Sequence, residues 1–300
     1  MSDRLLVTGA SGHLGQLAIA HLLDTLKVPA TRIIATTRHP EKLAALTARG
    51  VTVRKADFDD VASLTAAFAG AERLLLISTD ALDRPGHRLA QHRNAIAAAT
   101  QAGVKHVVCT SMPMPEDSPL LLAPDYVGTE QALAASPLSW TILRNCWYME
   151  NLFMSLPSAI ASGQWYSAAG DGKVAYISRA DCARAAAVAL ASSDRSKTTY
   201  TLTGGEAFST EEVSRRVSAL TGKPISVVPV PLEGLIQGMV AATGWPVELA
   251  TIFASFDTNT KAGRVATITQ DYRKLTGSEP QKFDAWLAAN QAALTTPQTH

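Results

Sequence analysis

The sequence predicts an α/β protein: a doubly wound parallel sheet followed by a smaller C-terminal α/β module. Three observations carry that expectation. Short apolar runs alternate with amphipathic segments through the first half, a glycine-rich turn separates the first run from the first helix, and the alternation loosens after about residue 150. Strands joined through helices return to the same edge direction, so their sheet is parallel.

Leu5 to Thr8 is a compact apolar strand. The segment after it places Leu14, Leu17, Ala18, His21 and Leu22 on one face of a helix. Strand "RIIATT" (32–37), helix "PEKLAALTARG" ending at Gly50 and strand "VTVRKAD" (51–57) follow. Helix "DVASLTAAFAG" leads to strand "RLLLIS" (73–78), and a helix over 87–102 leads to "HVVCTS" (106–111). A helix over 124–135 then precedes "SWTILRN" (139–145). The dinucleotide-type domain is therefore expected over 1–150, with a return segment near 176–200 that holds helix "RADCARAAAVALAS" and strand "TTYTLTGG". Most of 151–300 is expected to form the smaller substrate-binding cap, interrupted by Pro229, Pro231, Gly234, Gly238, Gly244 and Pro246. The tail "TTPQTH" offers no anchor and is expected to fray.

Composition excludes several classes. Three hundred residues, 47% hydrophobic, can bury a large core. Lys and Arg number 27 against 26 Asp and Glu, so bulk charge does not drive binding to nucleic acid or to an anionic membrane. Cys109, Cys146 and Cys182 follow no metal-ligand spacing and read as reduced thiols of a cytoplasmic protein, with no metal. The first residues pass straight into a strand without a signal-peptide pattern. No apolar run approaches the roughly 18 residues of a membrane span.

The glycine turn "TGASGHLGQ" carries the first functional reading. Gly9, Gly12 and Gly15 let the backbone approach a pyrophosphate, and the helix N-terminus beside them offers unsatisfied N–H groups; Ala10, Ser11, His13 and Leu14 complete the loop. The end of the second strand selects the dinucleotide. An acid there would bind ribose hydroxyls and repel a 2′-phosphate, whereas "ATTRHPEK" puts Arg38 at that place and Lys42 one helical turn on. A guanidinium clamps a phosphate through two parallel hydrogen bonds, so NADPH is favoured over NADH.

Ligands of such sheets bind beyond the carboxyl ends of the strands. Those ends present Asp57 and Phe58 for the adenine, Ser78, Thr79 and Asp80 for the diphosphate or nicotinamide ribose, Thr110 and Ser111, and finally Arg144 and Asn145. The run "RNCWYMENL" concentrates Asn145, Trp147, Tyr148 and Glu150 beside the expected nicotinamide, with Cys146 as a small filler. Trp147, Tyr148, Met149 and Phe153 suggest an aromatic pocket for a flat acceptor. The loop "AAGDGKV", with Gly170 and Lys173, has the flexibility and charge to close over the cofactor.

Taken together, "TGASGHLG", "TTRHPEK", "ADFDD", "LLLIS", "QHRNAI", "AGVKHVVCTS", "ILRNCWYMEN" and "AAGDGK" resemble the NmrA-like branch of the atypical short-chain dehydrogenases. The motifs run in order from residue 7 to about 182, and the C-terminal part matches more loosely. The resemblance implies a Rossmann-like domain with a small C-terminal domain, NADPH along the cleft, and reduction of quinones. It makes Gly9 to Leu14, Arg38, Ser78 to Asp80 and Asn145 to Glu150, Met149 included, cofactor contacts. Asn145 and Tyr148 would also face the substrate as the catalytic pair. The same branch includes reductases of triphenylmethane dyes and dinucleotide sensors without catalysis, which leaves those two functions as alternatives. The expected partner is a small quinone or conjugated acceptor, with a homodimer open.

"DYVGTE" (125–130) sharpens the choice of acceptor. Many nicotinamide-dependent reductases use Tyr-x-x-x-Lys, yet the fourth residue after Tyr126 is Glu130. Extended members of the superfamily often carry an acid four residues beyond that lysine; aligned so, Leu122 takes the tyrosine's place and the dyad is absent. Ketone reduction yields an alkoxide whose conjugate acid is as weak as water, pKa about 16, and needs a proton donor. Quinone reduction yields a phenolate, pKa about 10. The gap is worth roughly 8 kcal/mol and is supplied by the aromatic product. A quinone reductase can thus act by holding the acceptor and excluding water, with the proton drawn from solvent. Tyr148 is the preferred hydrogen-bond donor to the carbonyl, ahead of Tyr126.

Overall fold

Alternate residues of the central strands enter two different cores. The computed structural model describes residues 4–296. Its strands in chain order are β1 (Leu5–Val7), β2 (Ile33–Thr37), β3 (Thr52–Lys55), β4 (Arg73–Leu76), β5 (His106–Ser111) and β6 (Ser139–Asn145), then β7 (Gln164–Ser167), β8 (Lys173–Val174), β9 (Thr198–Leu202), β10 (Phe208–Ser209) and β11 (Ser226–Pro229). Leu5 and Val7 face one layer and Leu6 the other, as the period of two requires.

The first layer holds helix α1 (His13–Ala20) and, from far along the chain, the alanine-rich α7 (Arg179–Ala191). The second holds α3 (Val61–Phe68), α4 (His87–Gln101) and α5 (Ala123–Ala135). The sheet between them runs β3-β2-β1-β4-β5-β6-β9, parallel throughout. Strand order therefore reverses between β1 and β4, the place where such sheets open a ligand crevice. Helix α7 and strand β9 bring the chain back to this sheet after it has left for α6 (Leu156–Ser162) and β7.

The remaining elements build a separate apolar cluster. Met149, Leu152 and Leu156 pack there with Phe208 and Val213, and with Phe283 and Trp286 of the last helix (Phe283–Thr295). Strand β11 pairs in parallel with β7, and β10 pairs antiparallel with β8. Two further helices, Leu232–Thr243 and Val247–Lys261, form a pair with its own small core. Of the expected frayed tail, residues 297–300 lie outside the described residues.

Several boundaries differ from the sequence expectation for local reasons. "RLLLIS" stops being ladder at Leu76 because the Thr8 hydroxyl takes the Ile77 N–H at 3.0 Å and the Thr110 hydroxyl takes the Ser78 N–H at 2.9 Å. Side chains thus replace the neighbouring strand just where the crevice opens. The helix expected over "PEKLAALTARG" is a tight turn, Pro40–Leu43, followed by a short helix, α2 (Ala44–Ala48). "VTVRKAD" is strand only over Thr52–Lys55.

Candidate active site

The turn after β1 is a backbone cradle. Gly9 has φ +58°, a left-handed conformation that suits glycine, and its carbonyl accepts the Gly12 N–H at 2.9 Å. A Cβ on Gly15 would stand 2.3 Å from the Gly9 carbonyl oxygen and 2.9 Å from the Ala10 Cα, so no side chain fits. Helix α1 begins there with no side-chain cap and no acid in its first turn. Its free N–H groups and positive dipole end remain for an anion.

A cleft of ≈ 1310 Å³ opens over this cradle. That exceeds the roughly 300–1,000 Å³ of a small-ligand pocket and leaves room for a dinucleotide beside a second molecule. Its walls include Gly9, Ser11, Gly12, His13, Leu14 and Gly15, then Thr37 and Arg38, Asp57 and Phe58, and Ser78, Thr79 and Asp80. The end of β2 carries Arg38 and no acid, with the Ser11 and Thr37 hydroxyls 3.0 Å apart beneath it. His87 closes one edge between Asp83 and Asp59, 2.5 and 2.7 Å away, and these hydrogen bonds, Asp83's first, raise its pKa.

The opposite wall comes from far along the chain. Arg179, at the start of α7, and Trp245 and Phe253, around the start of the helix Val247–Lys261, also line the cleft. From Phe253 the aromatic surface continues to Phe256, whose ring is 6.1 Å away, and on to Trp147 at 4.9 Å. Leu122 and Tyr126 of the α5 segment pack against the same group. The Arg179 guanidinium lies 5.2 Å from the Tyr148 ring centre, which ties the cleft to the end of β6.

At that end Asn145 donates from Nδ2 to the Tyr148 hydroxyl at 3.0 Å. Burial, above all, pushes the Tyr148 phenol far above its ordinary range, and the nearby Tyr126 phenol adds to the shift. Three buried polar atoms around the crevice have no partner: Thr79 Oγ1, Asn145 Oδ1 and Trp147 Nε1. Buried polar groups are normally satisfied, so these atoms, with the glycine cradle, fit a polar ligand lying along the strand ends.

Other expected contacts stand behind the walls or away from them. Ala10 is fully buried under the turn. Thr110 supports the cleft indirectly, since its hydroxyl takes the Ser78 N–H. Ser111 donates to Glu130 at 2.6 Å, and Arg144 grips the same carboxylate at 2.6 and 3.0 Å. The acid that broke the Tyr-x-x-x-Lys pattern is therefore a structural anchor. Glu150 accepts the Arg179 N–H at 2.9 Å, holding the first residue of α7.

Asn145, Trp147 and Tyr148 stand next to the cleft and outside its lining, and four other expected contacts are placed further from it. Lys42 is exposed in the turn Pro40–Leu43 and does not line the cleft. Cys146 is enclosed, burial pushes its thiol up to about 12, and it donates to the Val265 carbonyl. Met149 is buried among the apolar residues of the C-terminal cluster. The loop with Gly170 and Lys173 is tied elsewhere: Lys173 pairs with Glu212 at 3.0 Å, and Gly172 packs against the Thr260 carbonyl. Conversely, Arg179, Trp245, Phe253 and His87 were not expected as wall residues. Trp245 had a signal, an aromatic side chain between Gly244 and Pro246 in an interrupted segment, while Arg179 follows the helix-capping Ser178 and had none.

Comparison with known proteins fits this geometry. The NmrA-like family matches residues 1–287. The chain belongs to the NmrA-like family. It is 39% identical to quinone oxidoreductase 2 of Escherichia coli K12 over 90% of this chain and 93% of that protein. The crystal structure of that enzyme with NADPH superposes with a TM-score of 0.90, at 37% identity, covering 96% of this chain and 99% of the other. The NADP(H) complex of the Citrobacter sp. triphenylmethane reductase gives 0.86 at 35% identity, over 94% and 99% of the two chains. An NAD(P)H azoreductase of Xenophilus azovorans is 29% identical over 97% of this chain and 99% of that one. No helix among the described residues is long and apolar enough to cross a membrane.

Proposed function

We propose that this NmrA-like protein is an NADPH-dependent reductase whose acceptors are quinones or similar flat conjugated molecules. One observation carries the reading: a single cleft joins a glycine cradle with Arg38 at the end of β2 to an aromatic wall from the C-terminal module. The names of the relatives, a quinone oxidoreductase, a triphenylmethane reductase and an azoreductase, share conjugated acceptors and point the same way.

Gly9, Gly12 and Gly15, with the N-terminus of α1, would hold the pyrophosphate, and Arg38 the 2′-phosphate. Asp57 and Phe58 would flank the adenine, and Thr79 Oγ1 and Asn145 Oδ1 would find partners on the ligand. Bound there, NADPH supplies hydride. The quinone takes up that hydride and becomes a hydroquinone monoanion, and one proton from solvent completes the hydroquinone.

The chain's own task is to position and to exclude water. Because Asn145 donates to the Tyr148 oxygen, the phenolic hydrogen stays available for a second partner. Burial keeps that phenol protonated. Tyr148 thus serves as a hydrogen-bond donor to the acceptor carbonyl, and Asn145 aims it.

The test is to supply the protein with NADPH or NADH and a panel of quinones, dyes and simple ketones while following the absorbance of the reduced cofactor. Turnover of quinones and dyes, slow or absent turnover of ketones and a preference for NADPH are expected. Tight NADPH binding without turnover of any acceptor would overturn the reading and leave a dinucleotide sensor.

A further inference from the structure

Helix α4 carries a buried charge that a single hydrogen bond meets only in part. Arg88 is 4% exposed, and its Nε donates to the Thr79 carbonyl at 2.8 Å. Its Nη1 is buried with no hydrogen-bond partner, and among the described residues no carboxylate forms an ion pair with it. Asp125 feels the charge, though burial dominates its own upward shift. Taking a guanidinium out of water costs several kcal/mol unless its donors are met. One carbonyl meets one of five donors.

The guanidinium carbon lies 4.2 Å from the centre of the Tyr126 ring. A cation over an aromatic face polarises the ring and whatever its hydroxyl is bonded to. Tyr126 packs against Leu122, Trp147 and Phe256, the inner end of the aromatic wall. Trp147, which packs beside Tyr126, also borders the sheet core against which Tyr148 packs. Its hydroxyl forms no hydrogen bond among the described residues. Two phenols, from α5 and from the end of β6, thus stand on the packing around Trp147, one held by Asn145 and the other backed by a buried cation.

We propose that Tyr126 is a catalytic hydrogen-bond donor to the acceptor oxygen, and that Arg88 is a positioning residue, stacked behind the ring, whose charge stabilises the oxyanion formed there. No covalent bond to the protein is involved. The oxygen gains negative charge as the quinone takes up hydride, the Tyr126 hydrogen bond shortens onto it, and the fixed cation lowers the energy of the charged product. This inference rests on the quinone-reductase reading of the cleft.

The experiment has one arm without cofactor and one with it. In the first, the purified chain is titrated with 4-nitrophenol at a pH where it is ionised, and with neutral 4-nitroanisole as control. Arg88→Met and Tyr126→Phe are each expected to weaken the phenolate about tenfold, the worth of one charge-assisted contact, and the anisole less than about twofold. Arg88→Lys restores most of the phenolate affinity. In the second arm, Arg88→Met, Tyr126→Phe and the double variant are compared on quinones whose hydroquinones differ in acidity. Each single variant should lower kcat about tenfold at unchanged KM for NADPH, most for the least acidic hydroquinones. The double variant should be no worse than Arg88→Met, since the pair acts as a unit.

Unchanged phenolate affinity in Tyr126→Phe, or losses in kcat that simply add, would overturn the proposal. Tyr126→Phe and Arg88→Lys keep shape and charge, so they decide the matter even if Arg88→Met folds poorly. A wild-type protein that reduces no quinone would defeat the functional reading, while the phenolate titration would still judge this one.

Discussion

The glycine-cradle end of the cleft, proposed for the dinucleotide, and its aromatic end are assembled by different means. Residues 9–15, 37–38, 57–58 and 78–80 each sit just beyond a strand of one sheet, and the sheet alone brings them together. Tyr126, Trp147 and Phe253 come from a helix of the second layer, a strand exit and the C-terminal module, and only tertiary packing joins them. The first end is a property of the backbone and tolerates little change. The second is a property of side chains, which exchange more easily, and it is where acceptor preference can vary on a constant fold.

The sharpest way to break that contrast is to add one methyl group at the cradle and one inside the C-terminal module, away from the cleft. A Cβ at Gly15 meets the Gly9 carbonyl oxygen at 2.3 Å, and one at Gly172 meets the Thr260 carbonyl oxygen at the same 2.3 Å. Both substitutions to alanine should cost about 1–3 kcal/mol in stability by overpacking. Only Gly15→Ala should abolish NADPH binding, by about 100-fold or more in calorimetric titration, because it moves the cradle itself. Comparable loss in Gly172→Ala would show that the C-terminal module shapes the dinucleotide end as well.

Legibility in the sequence divides along the same line. The glycine turn, Arg38 and the residues after β3 and β4 were readable because local spacing fixes strand, turn and helix, and the sheet rule then fixes the crevice. Helix α7 and strand β9 were readable as elements from an alanine-rich run and a β-rich run, and the structure seats both on the first sheet. Trp245, Phe253 and Arg179 were not, since no local pattern says which distant segment folds over a crevice. "RNCWYMENL" mixed both kinds: its polar residues do gather at the end of β6, yet Cys146 and Met149 turn into cores. Tyr126 was set aside on sequence spacing, and the residue that changes its standing, Arg88, lies on another helix.

Within the dinucleotide end, Arg38→Glu tests specificity apart from affinity. A guanidinium–phosphate contact is worth about 1.5–3 kcal/mol, so the ratio of kcat/KM for NADPH over NADH should fall roughly 10- to 100-fold and approach or pass unity. An unchanged ratio would move 2′-phosphate recognition to another residue.

At the aromatic end, Trp245→Ala should raise KM for bicyclic and larger acceptors about tenfold. Stacking is worth about 0.5–1.5 kcal/mol beyond the area it buries, and a small benzoquinone uses less of it. NADPH affinity should stay within about twofold, because the cradle is untouched. A loss confined to NADPH would reassign Trp245 to the dinucleotide and erase the boundary drawn between the two ends.

The smallest expected effect concerns the edge where His87 holds Asp83 and Asp59. Both carboxylates are exposed, and such pairs contribute little to stability. The sign is nevertheless fixed. The hydrogen bonds from Asp83 and then Asp59 raise the folded pKa of His87 above its ordinary 6.5, so the contact is fully present below 6.5 and is lost as pH rises through the raised value. Amide exchange across residues 80–86, corrected for intrinsic rates, should therefore quicken by less than about tenfold between mildly acidic and mildly alkaline solution. In His87→Asn, which cannot gain a proton, the segment should exchange at the faster rate throughout. Loosening toward acid instead would mean that the carboxylates, not the imidazole, set the edge of the cleft.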